Sequence, residues 1–418
     1  LTATAARAER AAAAVGTQSR AVFPLRVEAG KRHLVDAQGT PFLIHGDAAW
    51  SLIADLTREE VDLYLDDRRD RGFNTLLVNL IEHRFSTRPA ANIYGERPFL
   101  GHAFEAIAWF AEWLPPRFAH YATSLASRFA DYTSPNAAYF AHADHVLRRA
   151  GEKGFLVLLC PSYAGWHGGS QGWYRAMVAN GPDRLRRYGA YLGRRYRDFS
   201  NILWVHGGDH DPPEKGLVRA LAEGIREFDP RALHTAHGEA DPSVSDYWLD
   251  EPWLQLGSVY TYGPVHAAAL EHYARPGRWP FFLIESGYEN ERGVTERDLR
   301  MQAYQALLCG AAGQIFGNNP IWHFHAPGLC PAPVTWRQAL DSPGAQSMAH
   351  LRALMATVRW WLLEPDIDRR FLVGGYGPED ARAVAALASN RSEAIAYLPT
   401  RREITVDLGQ LAGPEVVA

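Results

Sequence analysis

Two carboxylates in this chain each close a strongly apolar run. Asp209 ends NILWVHGGD (201–209), and Glu285 ends PFFLIE (280–285). Ile202, Leu203, Trp204 and Val205 are apolar without alternation, as in a strand covered on both faces. A pair of acids held by rigid strands suits glycoside hydrolysis. One, kept protonated, gives its proton to the leaving oxygen; the other, ionised, attacks the anomeric carbon or activates water. The ionised member raises its neighbour's pKa and so keeps a proton donor available near neutral pH. Gly207 and Gly208, lacking side chains, let the backbone turn sharply before Asp209 and let a substrate come close.

Positioning two such acids requires a scaffold, and the chain has a rhythm that supplies one. Short apolar runs begin near residues 41, 74, 155, 201, 232, 256, 280 and 311, most of them followed by a helical pattern. In the first helix Val61, Leu63, Tyr64 and Leu65 stand among charges, and Thr57 with Glu60 reads as a capping box. Helical patterns also cover 136–154, 183–198, 217–229, 265–274, 295–310 and 347–363. Eight strand–helix pairs in order predict a (β/α)8 TIM barrel over residues 22–365. The rival open doubly wound sheet would favour G-x-G-x-x-G after the first strand, and HGDAAW is not one. From 366 to 418 short alternating runs separated by turns predict the start of a small β-sandwich domain. Its strands are too few for a full sandwich, so the natural chain is expected to continue. Residues 1–21 read as an alanine-rich arm without the apolar core of a signal peptide.

Barrel enzymes gather their reactive groups at the C-terminal ends of the strands. In order those ends carry Asp47, Asn79, Tyr163, His206 with Asp209, His237, Tyr262, Glu285 and Asn318. Asp47 and Asn79 are candidates for sugar hydroxyls, or for tying the rim together. Tyr262 is placed to orient Glu285, and His237 to line the pocket. Trp50, Trp166 and Trp322 are candidate sugar platforms, although core packing is the commoner fate of tryptophan.

The segments FLIHGDAAWSLIADLTREEVDLYLDDRRDRGFNTLLVN, TSPNAAYFAHADHVLRRAGEKGFLVLL, YGAYLGRRYRDFSNILWVHGGD and FFLIESGYE together resemble the apiosidase-like glycoside hydrolases, over residues 22 to 365. The resemblance implies a retaining barrel enzyme with Asp209 as acid/base and Glu285 as nucleophile, acting without a cofactor. It implies a plant or bacterial glycan as substrate, and hence a periplasmic or extracellular setting. Many relatives in that clan end strand four in Asn-Glu. Here Gly208–Asp209 stands in its place, which fits the apiosidase-like branch better than a cellulase-like one. The tail resembles the small β-domain, labelled collagen-binding, that follows the barrel in that family. Residues 100–130, aromatic and partly helical, fall in the loop after strand two and are expected to reshape the subsites.

Two other chemistries compete. HGGDHD offers His206, Asp209 and His210 as metal ligands, helped by His234 and His237, but the first strand lacks the paired histidines of metal-dependent barrels, and H-E-x-x-H is absent. A carbohydrate-binding barrel without turnover is the third reading, against which both acids weigh. Composition excludes more. With 418 residues and a net charge of −4, no strongly basic face is required, so a nucleic-acid partner is not expected. No apolar run reaches membrane-spanning length. Cys160, Cys309 and Cys330 form no closely spaced pair and read as buried thiols.

Overall fold

The computed structural model describes residues 20–101, 130–166, 168–169, 171–240, 244–277 and 279–413. The eight apolar runs form parallel strands: β1 (Ile44–Ala48), β2 (Thr75–Asn79), β3 (Leu156–Cys160), β4 (Ile202–Gly207), β5 (Leu233–His237), β6 (Gly257–Tyr260), β7 (Phe281–Glu285) and β8 (Gly313–Phe316). They pair in the order β5-β4-β3-β2-β1-β8-β7-β6. A parallel bridge from Thr235 in β5 to Leu256 just before β6 joins the two ends. The sheet thereby closes into a (β/α)8 barrel. Every residue of the eight strands is buried, which is why most of their sequences run apolar instead of alternating, β1 (IHGDA) and β5 (LHTAH) carrying buried polar residues besides.

Helices surround the barrel: α1 (Arg58–Asp70), α2 (Ala137–Lys153), α3 (Tyr174–Tyr196), α4 (Lys215–Phe228), α5 (Val244–Trp248), α6 (Val265–Tyr273), α7 (Glu296–Leu308) and α8 (Pro343–Met355). The Thr57–Glu60 capping box is present at the start of α1. Helix α3 begins well ahead of residue 183, and Gly181 with Pro182 breaks it into two pieces. Proline removes a backbone donor and pushes the residue before it out of the helical region, so a pattern reader finds only the second piece. Helix α8 stops at Met355 instead of reaching 363. Trp360–Leu362 form a 3-10 turn, and Leu363–Pro365 pairs antiparallel with Val384–Ala388. The antiparallel texture therefore starts slightly before residue 366. Ala394–Tyr397 completes that three-stranded sheet, and Leu372–Gly374 pairs with Thr405–Val406 in a second. Tyr397 stacks on Tyr304 of α7, seating this unit against the barrel.

Which way each strand residue faces decides what reaches the barrel mouth. Trp204 packs on Tyr196 of α3, so Trp204 and His206 face the helices while Leu203, Val205 and Gly207 face inward. In β1, His45 stacks on Phe73 and Asp47 meets Tyr64 and Arg68 of α1, so these two also face outward. Residues 1–19, within the expected arm, and 102–129, within the expected insertion, lie outside the described residues. No helix among the described residues is long and apolar enough to cross a membrane. The three cysteines are free; Cys160 and Cys309 are buried, whereas Cys330 is partly exposed, against expectation.

Candidate active site

Strand β4 delivers Asp209 through a turn that only glycine allows. Gly207 and Gly208 have φ of 92° and 152°. A Cβ on Gly207 would fall 2.1 Å from the His237 carbonyl oxygen, and one on Gly208 would fall 2.7 Å from the Ala164 nitrogen. The backbone is clamped on both sides: Gly208 N donates to His237 O, and Ala164 N donates to Gly207 O. Asp209 then stands at the mouth. It does not cap the next helix, because the residue at the N-cap of α4 is Glu214.

Glu285 needs a different device. Phe281 and Leu283 face the helix layer, Phe281 stacking on His272 of α6. Strict alternation would send Glu285 the same way. Instead the pairing with β6 slips: Leu283 lies opposite Val259, while Glu285 lies opposite Tyr260, the very next residue. The extra residue in β7 turns the carboxylate toward the mouth, as bulges beside functional sites do.

An oxygen of Asp209 and an oxygen of Glu285 lie within 4.8 Å of each other. Their side chains are 19 % and 8 % exposed, so both remain reachable from the mouth. His237 spans the pair, with Nε2 3.0 Å from Glu285 Oε2 and Nδ1 3.5 Å from Asp209 Oδ1. Tyr262 donates to Glu285 Oε1 at 3.2 Å and accepts from Tyr260 at 3.1 Å. Burial, then the neighbouring Glu285 charge, pushes Asp209 up to about 7; His237 and the Tyr163 and Tyr260 hydroxyls pull the other way. Burial disfavours a charged His237, yet the Glu285 hydrogen bond and the two carboxylate charges prevail and raise its pKa. The centre thus holds a proton in the neutral range on groups that touch one another.

Other expected residues divide into two sets. Trp50 lies against Tyr163 and His237, and its indole donates to Tyr288 at 3.0 Å. Asn79 follows at the end of β2, its amide on Glu82 and its Oδ1 without a hydrogen-bond partner. Trp322 packs on Phe85 and donates to Glu291, and Trp166 is 53 % exposed in the loop after β3. Three residues face elsewhere. Asp47 is sealed under α1 by Tyr64 and Arg68, because its position in β1 has outward parity. His206 stacks on His234 beside Trp253 in the helix layer, for the same reason. Asn318 joins Glu289 and Ser342 at the start of α8. Tyr260, at the end of strand six with Tyr262, donates to that residue, whereas Tyr288, which accepts from Trp50, is the residue the sequence reading misses. The YE of IESGYE is the signal that could have found it.

The metal reading fares similarly. His206 faces His234, and His210 lies edge-on to Tyr174, so these two do not gather around Asp209. Among the described residues, the trio whose ligand atoms approach one another is Asp209, His237 and Glu285.

A closed eight-stranded barrel with paired acids at the ends of its fourth and seventh strands has the form of a barrel glycosidase. The fold is similar to that of a glycoside hydrolase family 5 protein from Bacteroides vulgatus, at 23% identity and TM-score 0.75, covering 93% of this chain and 83% of that one. It is also similar to a protein described as a glycoside hydrolase, at 24% identity and TM-score 0.75, covering 94% and 86%. A glycoside hydrolase family 5 mannosidase from Rhizomucor miehei matches at 12% identity and TM-score 0.56, covering 81% and 99%. No curated protein gives a significant match. The family model "Apiosidase-like, catalytic domain" matches residues 28–362, and the chain belongs to that family. It is a glycoside hydrolase.

Proposed function

We propose that this enzyme cleaves a plant or bacterial glycan by double displacement, with retention at the anomeric carbon. The observation that carries this reading is the 4.8 Å limit between the two carboxylate oxygens. Retaining enzymes hold their carboxyls about 5–5.5 Å apart, whereas inverting ones need about 6.5–9.5 Å for a water. Environment divides the roles. Asp209, with its pKa near 7, carries the proton. Glu285 accepts at both oxygens, from His237 and from Tyr262, which leaves it aimed as an acceptor-only group.

In the first step a Glu285 oxygen bonds to the anomeric carbon as the bond to the leaving oxygen breaks, and the Asp209 proton passes to that oxygen. In the second, water attacks the anomeric carbon while Asp209 takes its proton. The ester bond breaks and the Glu285 carboxylate returns. A glycan of this kind is met outside the cytoplasm, so the working compartment is periplasmic or extracellular.

Glu285→Ala tests the assignment. Turnover of an activated aryl glycoside is expected to vanish and to return partly with azide, giving the glycosyl azide of inverted configuration. A folded variant that azide leaves inactive would remove Glu285 as nucleophile. A screen of aryl glycosides and pectic oligosaccharides, apiose-containing ones included, tests the substrate. Binding without hydrolysis of any of them would instead favour a carbohydrate-binding barrel.

A further inference from the structure

The end of the barrel away from the catalytic mouth holds a cavity of about 540 Å³. Leu43, just before β1, and Gly310 and Ala311, just before β8, form its inner wall and place it at the N-terminal ends of the strands. The turn at Gly30–His33 and the segment Trp360–Glu364, where the barrel hands over to the antiparallel sheet, form its sides. Trp360 and Trp361 meet at 89° with ring centroids 6.0 Å apart, and Trp361 is 38 % exposed. His33 buttresses Trp360 edge-on, and the Arg32 guanidinium lies 3.8 Å over the Tyr273 ring.

We propose that this cavity is a second saccharide-binding site, distinct from the catalytic mouth. Two perpendicular indoles in a cleft between structural units suit a sugar, whose C–H face stacks on one ring while its edge meets the other. The wall also carries Lys31, Arg32, Glu364 and Ser389. Such groups can donate to or accept from sugar hydroxyls at the cavity edge. Because the two sites lie at opposite ends of the barrel, one short oligosaccharide cannot occupy both. The site holds polymer while the mouth works on another part of it, and the advantage is one of effective concentration.

Affinity gel electrophoresis of Glu285→Gln in soluble pectic rhamnogalacturonan, β-mannan and arabinoxylan tests the proposal without turnover. At least one polymer is expected to retard the protein. Trp361→Ala should weaken that retardation about tenfold, the loss of one aromatic contact, while Trp361→Tyr keeps most of it. Glu364→Ala, at an exposed position that folding tolerates, should weaken it as well. With Glu285 intact, Trp361→Ala should hydrolyse a small aryl glycoside as the parent does. No retardation by any polymer, or retardation that Trp361→Ala and Glu364→Ala leave unchanged, would overturn the proposal.

Discussion

His237 Nε2 lies 3.0 Å from Glu285 Oε2, and the other nitrogen of the same ring faces Asp209. One imidazole therefore touches both proposed catalytic acids. Its charge stabilises an ionised Asp209 and holds that acid's pKa below the value burial alone would set. In His237→Gln that restraint is gone, and the basic limb of kcat/KM should move to higher pH. A limb that stays in place, with the variant folded, would mean that His237 does not govern the acid.

Asp209 carries the second prediction. Its pKa near 7 lies far above the ordinary carboxylate value, so its proton-donating form is lost as pH rises through 7. Activity toward poor leaving groups should fall across that range. The stability effect has the same sign. A raised folded-state pKa contributes stability that is complete below the unfolded value of about 3.9 and disappears as pH rises through the folded one. Asp209→Asn should therefore melt close to the parent near pH 4 and above it near pH 8. Equal melting temperatures at both would contradict the raised pKa.

Tyr262→Phe removes one donor to Glu285 and the acceptor of the Tyr260 hydroxyl, while the half-exposed ring itself is kept. A hydrogen bond to a charged group contributes about 1.5–3 kcal/mol, so kcat should drop about tenfold to a hundredfold. An unchanged kcat would mean that the Glu285 contact is incidental.

Gly207→Ala introduces a methyl group 2.1 Å from the His237 carbonyl oxygen, at a φ of 92°. Backbone cannot yield as a flexible side chain would. The variant should lose most activity, with melting lowered as well, because the turn that carries Asp209 must move away from β5. A fully active Gly207→Ala enzyme would refute this account of the turn.

Asp47 and Arg68 provide a control outside the chemistry. Both side chains are fully buried and pair at 3.3 Å, and burial still lifts Asp47 to about 6. Arg68→Ala strands that carboxylate and should cost about 3–5 kcal/mol of stability. Denaturant titration measures it. The fraction that remains folded should keep its kcat, since Asp47 faces α1 and not the mouth.

The eight strands, their parallel order and the two acids at the ends of the fourth and seventh were legible in the chain. Strands covered on both faces are mostly apolar, and such runs, spaced by helices, have few other ways to close. Facing was not legible. In a strand buried on both sides the alternation that marks inside from outside vanishes, so Asp47 and His206 read as mouth residues although their parity turns them toward the helices. The bulge that brings Glu285 inward was equally hidden, because it exists only as a slip in register between β6 and β7. Sequence determined which acids stand at strand ends; tertiary pairing alone decided which side chains meet there, since that depends on neighbours distant in the chain.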